Sequence, residues 1–246
     1  MSPVRKPCLR RISMILARLF LAMLLFLSSL TAYALTISPV VLELSSVRRV
    51  AAVTLTNTSA KAVTFQAETM SWLQDGGVDQ YEKTENLMVV PPIAEIEPGA
   101  SQIFRITLRQ PPTGGREQAY RLIFEDITEE TDAKGMVVHF RFRHDLPVFV
   151  KVGAVHAAPR LLVCAAPQGK ACVRLNNDGN HYLKIVKLVV EVAKGVHQEI
   201  KDTGTVLAGA WKQWTFDWPA NYAGSLTVNA ETSAGPLSIE LPAERR

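Results

Sequence analysis

The sequence predicts an all-β protein built of two sandwich domains behind an export signal. Three observations carry this. Nearly every apolar segment alternates with a period of two, as half-buried strands do. Turn clusters (NTSAK, QDGG, EPGA, QPPTGG, TDAKG, NNDGN, AKG) punctuate the chain at short intervals. No uninterrupted stretch long enough for a three-turn helix keeps a helical apolar period. A doubly wound sheet or α/β barrel needs repeated helical crossovers, so both are excluded.

The segment Met1–Ala34 reads as the signal. A basic start, MSPVRKPCLRR, precedes an apolar core at Leu19–Leu27, and Ala32-Tyr33-Ala34 offers small residues to a peptidase, which puts the mature start at Leu35. An uncleaved anchor over Ile12–Leu30 is the alternative, but Arg18 would lie in hydrocarbon. Initiation at Met14 would leave the same export reading. No Cys follows the apolar core, which argues against a lipid anchor. Removing the segment takes Lys+Arg from 27 to 22 against 23 acidic residues, so a formal +4 becomes −1 for Leu35–Arg246. The apparent basic character that would suggest nucleic acid therefore disappears. With 48% hydrophobic and 20% charged residues, the chain is not mainly disordered. No second apolar stretch approaches the length of a membrane-spanning helix, which excludes a multi-span membrane protein.

The expected strands of the first half are Leu35–Leu44, Val50–Asn57, Val63–Trp72, Leu87–Val90, Gln102–Leu108, Gln118–Thr128 and Met136–Val150. Seven such strands are a sandwich signature. Alternation assigns faces: Val53 and Leu55 point one way and the Thr residues the other in the second strand, and Phe104, Ile106 and Leu108 are the inward candidates in the fifth. The last strand is unusual. Val138, Phe140 and Phe142 share one face, and His139, Arg141 and Arg143 the other. Unbroken, it would reach about 50 Å, against a usual 17–20 Å. Pro147 either ends it early or marks an unpaired edge position. Two readings stand: a final strand packing its own core, or an exposed edge that pairs with a guest. A long apolar edge invites aggregation, so the second reading needs a partner or a cap.

The second half repeats the grammar, with strands expected at Arg160–Cys164, Ala171–Asn176, Leu183–Val192, Thr205–Val206, Lys212–Phe216, Ser225–Asn229 and Leu237–Leu241. The small residues and Pro of VGAVHAAP form an elbow near Gly153–Pro159. The expected organisation is thus a signal over 1–34, one domain over 35–153 and a second over 154–246. Cys164 and Cys172 flank a turn-like APQG, so their sulfurs can meet in an oxidising compartment. Such a bond would contribute about 2–3 kcal/mol in an entropy-only account. The rival, a metal pair, lacks a partnering His or Asp cluster.

Nothing in the sequence makes a catalytic constellation. His139 and His144 fall on opposite strand faces; His156, His181 and His197 are scattered. No HExxH, phosphate loop, CxxC or nucleophile elbow occurs. The carboxylates Glu125-Asp126 and Glu129-Glu130 read as a solvated strand end, and Glu68 shares no definable cleft with them. HFRFRH interleaves bases and aromatics as a stacking platform does, but it is short, isolated and exported. Trp211, Trp214 and Trp218 in WKQWTFDW suggest carbohydrate contact, although spacings of three and four on a strand make no flat face. No metal, cofactor or nucleic acid is expected.

The order and spacing of LTISPVVLEL, VTLTN, VVPPIAEIEPGASQIFRI, EQAYRLIFEDI and DLPVFV resemble the periplasmic pilus-assembly chaperones of the chaperone–usher system. The chain looks nearer to their archaic branch than to the chaperone of P pili. The resemblance spans Leu35–Leu241 and is most specific over Leu35–Val150.

What the resemblance implies is a non-enzymatic chaperone of two immunoglobulin-like domains in a boomerang arrangement. Family members lend a strand to incomplete pilus subunits, which an outer-membrane usher then receives. By position, the donor residues here are Val138, Phe140 and Phe142, with Val137 or Met136 entering if the register slips. Free chaperones of the family cap this strand by self-association, so a dimer is an expectation. The better-studied branch grips the subunit's C-terminal carboxylate with an Arg of the first strand and a Lys of the last. This chain has Pro39-Val40-Val41-Leu42 and approximately Pro147 there. Arg121 in AYRLIF, with Tyr120 and Leu122 facing the other way, is the substitute, and Arg143 a weaker one. A solvent-facing surface role remains the plain alternative for both. The rival functions are a secreted carbohydrate-binding or adhesion module and a structural pilus subunit, the latter normally having one incomplete domain.

Overall fold

The computed structural model describes residues 35–129, 141–192, 196–201, 203–218 and 224–242. The signal segment, Met136, Val137, Val138, His139 and Phe140 lie outside the described residues. No helix occurs among the described residues, and the chain folds into two immunoglobulin-like sandwiches.

The first sandwich contains β1 (Leu35–Ser38), β2 (Leu42–Ser45), β3 (Val50–Asn57), β4 (Val63–Asp75), β5 (Val78–Lys83), β6 (Leu87–Val90), β7 (Ile93–Ile96), β8 (Ser101–Leu108), β9 (Gln118–Asp126) and β10 (Arg143–Lys151). One sheet runs β1-β3-β8-β6; the other runs β2-β10-β9-β4-β5, with β7 also on β4. The single expected strand Leu35–Leu44 is therefore two. Pro39 cannot donate to a ladder, and the chain crosses there from β3 in one sheet to a parallel pairing with β10 in the other. The polar strand β5 follows β4 through Gly76 and Gly77, whose φ of 59° and 82° suit a tight hairpin turn that a side chain would strain. Asp126 closes β9 by accepting bonds from the Thr128 amide and hydroxyl, so the strand stops short of the expected Thr128.

Between these sheets lie Val53, Leu55, Phe104, Ile106, Leu108, Leu122, Phe124 and Val148, all fully enclosed. Alternation separated the two faces of β3 and named the inward residues of β8 correctly, because each has one dry and one wet side. Phe104 and Phe124 meet edge to face at 4.8 Å across the core.

The second sandwich contains β11 (Pro159–Val163), β12 (Lys170–Asn177), β13 (Leu183–Val192), β14 (Val196–Glu199), β15 (Thr205–Val206), β16 (Trp211–Asp217), β17 (Leu226–Thr232) and β18 (Gly235–Leu241). Its sheets run β11-β12-β16 and β14-β13-β17-β18, with β15 also on β13. Cys164 and Cys172 are disulfide-bonded across the turn that joins β11 to β12, with Cα atoms 5.0 Å apart.

The two sandwiches share a clip. In the first, Asn57 ends β3: its amide donates to Ala100 O, Gly99 N donates to Asn57 O, and Ala100 N to Glu97 O. In the second, Asn177 ends β12 with the same three bonds to Ala210, from Gly209, and from Ala210 to Leu207. Both Asn side chains are buried and bonded in full use of their amide, Asn57 to Lys61 O and Ile96 O and Asn177 to His181 O.

Candidate functional site: an open strand edge and the arginine beside it

Strand β10 is paired unevenly. Along Arg143–Val150 it bonds to β9, but β2 joins its other side only from Val148 onward. Over Arg143–Pro147 that second edge has no partner strand among the described residues. Pro147 therefore neither ends the strand nor disturbs a ladder; it sits inside β10 opposite Arg121, where the far edge is vacant. Immediately before the strand, Phe142 is 59% exposed, and its carbonyl accepts from Asp126 N, so the extended pairing with β9 already includes it. Its ring lies 6.3 Å from that of His144. Burial holds the His144 imidazole below its ordinary range, with Asp126 pulling the other way. Arg143 is exposed and stands opposite Glu125.

Arg121 projects from β9 on the outer face of the same sheet, because Tyr120 and Leu122 point into the core. The guanidinium carbon lies 3.7 Å from the centre of the Trp72 ring and 5.9 Å from that of Tyr81. Trp72 is on β4 and Tyr81 is its direct partner on β5. This is a cation held between aromatic faces, with only 18% of the side chain exposed. Its Nε is enclosed and has no hydrogen-bond partner. The nearest carboxylate oxygen, Asp145 Oδ1 on β10, is 3.7 Å from Nε, an ion-pair distance too long for a hydrogen bond. Burial, then the neighbouring Asp79 and Asp145 carboxylates, raise the Tyr81 hydroxyl pKa, while Arg121 opposes them. A guanidinium fixed by aromatic rings and left partly exposed beside an open strand edge is chemically suited to a carboxylate.

The outer face ends at the junction of the two sandwiches. Trp72, Phe149 and Leu207 form a small buried cluster there, and Phe149 stacks on Tyr182 with ring centres 3.7 Å apart. Gln74 Nε2 donates to Thr205 O at 2.8 Å, and Leu207 N donates to Gln74 Oε1 at 2.8 Å. Asp79 accepts from Trp72 Nε1, Gln74 Nε2 and Lys212 Nζ. Burial alone would raise the Asp79 pKa, but these bonds and the Lys212 charge outweigh it and hold the carboxyl below its ordinary value. On the other flank, Glu117, whose side chain is 1% exposed, lies 2.7 Å from His181 Nδ1 and accepts from Tyr182 N at 3.0 Å. Burial raises the Glu117 pKa, and the Tyr182 amide, His181 and Lys151 offset part of that rise. Sequence patterning missed this junction, since each contact joins single residues far apart in the chain.

The tryptophan segment is not an aromatic platform. Trp214 and Trp218 pack against the second core, and Trp211 lies under the Arg174 guanidinium at 3.9 Å. Among the described residues, no three His, Cys, Asp or Glu side chains gather as metal ligands.

Comparison with curated sequences returns no match. Among solved structures, the chain resembles the chaperone CsuC in its pre-assembly complex with the tip adhesion subunit CsuE, from the archaic Csu pili of Acinetobacter baumannii, with a TM-score of 0.63 and 22% identity over 84% of this chain and 97% of that one. It also resembles the chaperone YadV (TM-score 0.61, 15% identity, 85% and 98% covered). The Salmonella enterica chaperone SafB, solved with the SafA pilin, gives a TM-score of 0.60 at 14% identity, with 85% and 97% covered. At such identities these likenesses speak for the fold. Residues 34–152, the stretch that contains the open edge of β10 and Arg121, match the family model described as the PapD N-terminal domain of pili and flagellar-assembly chaperones. The first sandwich is therefore a domain of the PapD-like pili and flagellar-assembly chaperone family.

Proposed function

We propose that this protein is a non-catalytic periplasmic chaperone that holds incompletely folded pilus subunits by strand addition and delivers them to an outer-membrane usher, in a system of the archaic type. The observation that carries the reading is the vacant edge of β10 over Arg143–Pro147, preceded by the exposed Phe142, in a domain of this family. Main-chain bonds along such an edge give affinity for many guests, and alternate side chains give selectivity. Val138, Phe140 and Phe142 would be those side chains, filling the groove of the guest. CsuC and SafB, solved bound to a subunit, are relatives that engage this kind of guest.

Arg121 would anchor the guest's terminal carboxylate. Its support is the aromatic seat on Trp72, which fixes the guanidinium, and the part of the side chain that stays exposed beside the open edge. Arg143, fully at the surface and facing Glu125, has less to hold it in one geometry.

The test is periplasmic co-expression with candidate subunits and purification of one-to-one complexes. Phe140→Glu with Phe142→Glu should abolish subunit recovery while leaving the melting temperature of the free chaperone unchanged. Undiminished recovery would refute strand donation. Arg121→Ala should reduce recovery separately; no reduction would remove Arg121 from the site.

A further inference from the structure

Arg121 and Asp145 are diagonal neighbours on the outer face of one sheet, since Arg121 stands opposite Pro147 and Asp145 opposite Ile123. Their atoms meet on the Nε side of the guanidinium, the side enclosed by protein, at 3.7 Å. That distance gives Coulomb attraction without a hydrogen bond. Asp145 is therefore placed to neutralise Arg121 without consuming its donors. A residue that served to orient the arginine would be expected closer, in a two-pronged arrangement; here the ring of Trp72, 3.7 Å from the guanidinium carbon, does the orienting. Asp145 is also accessible, with 40% of its side chain exposed, so an arriving guest meets its charge.

We propose that Asp145 is a built-in counter-charge that sets how tightly Arg121 takes a guest carboxylate. The inference rests on the reading of Arg121 as the anchor. In the free protein the pair is neutral, so a semi-buried cation is not offered to every small anion. When a guest carboxylate takes the accessible part of the guanidinium, two negative charges share one positive charge, and the hold is weakened by the repulsion. The weakened hold suits a chaperone, which must release its guest. Asp145→Asn keeps size and polarity, removes the repulsion, and should tighten the grip on a free carboxylate alone. For a partly exposed pair the expected gain is about fivefold.

The experiment uses two acetylated decapeptides of alternating Thr and Val, identical except for a C-terminal carboxylate or carboxamide. Each is titrated into the mature protein, and dissociation constants are read from the NMR cross-peak of the Trp72 indole N–H, which lies beneath Arg121. The quantity compared is the preference for acid over amide. The expected result is a wild-type preference for the acid, an approximately fivefold larger preference in Asp145→Asn, and none in Arg121→Gln with or without the Asn substitution. A preference unchanged or reduced in Asp145→Asn, yet abolished in Arg121→Gln, overturns the role of Asp145 and leaves the anchor standing. A wild-type protein that does not distinguish the peptides, whether it binds both or neither, overturns the anchor itself.

Discussion

Replacing Asn177 by Ala should destabilise the second sandwich by about 3–5 kcal/mol, and the number follows from the bonds it makes. The side chain has no exposed surface. Its Nδ2 donates to His181 O at 2.6 Å, and to Leu207 O and Val206 O at 3.2 and 3.3 Å; its Oδ1 accepts from Ala158 N and Gly179 N, both at 3.2 Å. Alanine strands these groups in a dry site, at about 1–3 kcal/mol each if none finds a substitute. Water entering the vacated space recovers part of that, which brings the sum down to the range given. Asn177→Asp makes a sharper test. It preserves the acceptor for the two amides but turns a lone pair toward three carbonyls, so at neutral pH it should cost more than alanine. On acidification the protonated acid can donate one bond, and the gap should narrow. Urea unfolding followed by tryptophan fluorescence reads the loss, since three of the four tryptophans (Trp211, Trp214 and Trp218) lie in this sandwich. A loss below about 1 kcal/mol for alanine, or an Asp variant no worse than alanine at pH 7, would refute the reasoning. The consequence extends beyond the sandwich, because the bond to Ala158 ties the elbow to β12.

Three other outcomes follow from the junction and from β10. Phe149→Ala opens a cavity between Trp72 and Tyr182, should cost about 3–5 kcal/mol, and should split one calorimetric transition into two. The folded-state pKa of Asp79 is depressed, so the stability it confers is present above the ordinary aspartate value and lost as pH falls through the lowered one; Asp79→Asn should flatten the decline of melting temperature below about pH 4. For His144 the folded-state pKa lies below the unfolded one, so stability is present above the unfolded value and lost as pH falls past it toward the folded value. His144→Phe should reduce the loss measured between about pH 7 and 5, and an unchanged slope would show that His144 titrates as freely folded as unfolded.

Sequence reading reached what depends on local periodicity. Val53, Leu55, Phe104, Ile106 and Leu108 were legible because each belongs to a strand with one face in oil and one in water. The cysteine pair was legible because a short turn lies between its members. The polar strand β5 was not, since VDQYEK has no apolar alternation and is held by its hairpin to β4. The division of the first strand was marked by Pro39, but only the sheet assignment of β3 and β10 shows that its halves part company. At the site, alternation oriented Arg121 correctly outward. Its aromatic seat was beyond reach: Trp72 and Tyr81 come from a different hairpin, and no period links them to β9. Glu117 and His181 are likewise joined only by the way two domains abut. Val138 and Phe140 rest on position in the sequence alone.

The uneven pairing of β10 also fixes what can move. From Val148 to Val150 the strand is flanked on both sides and its amides should exchange with solvent slowly, while toward Arg143 half of them face outward and should exchange fast. One end of the strand is thus clamped in the sheet like a rail bolted at its far end. On the strand-addition proposal, a guest laid along the free end would be unzipped bond by bond while the rail stays in place. Handover then costs the chaperone none of its own fold, and the same molecule is ready for the next subunit.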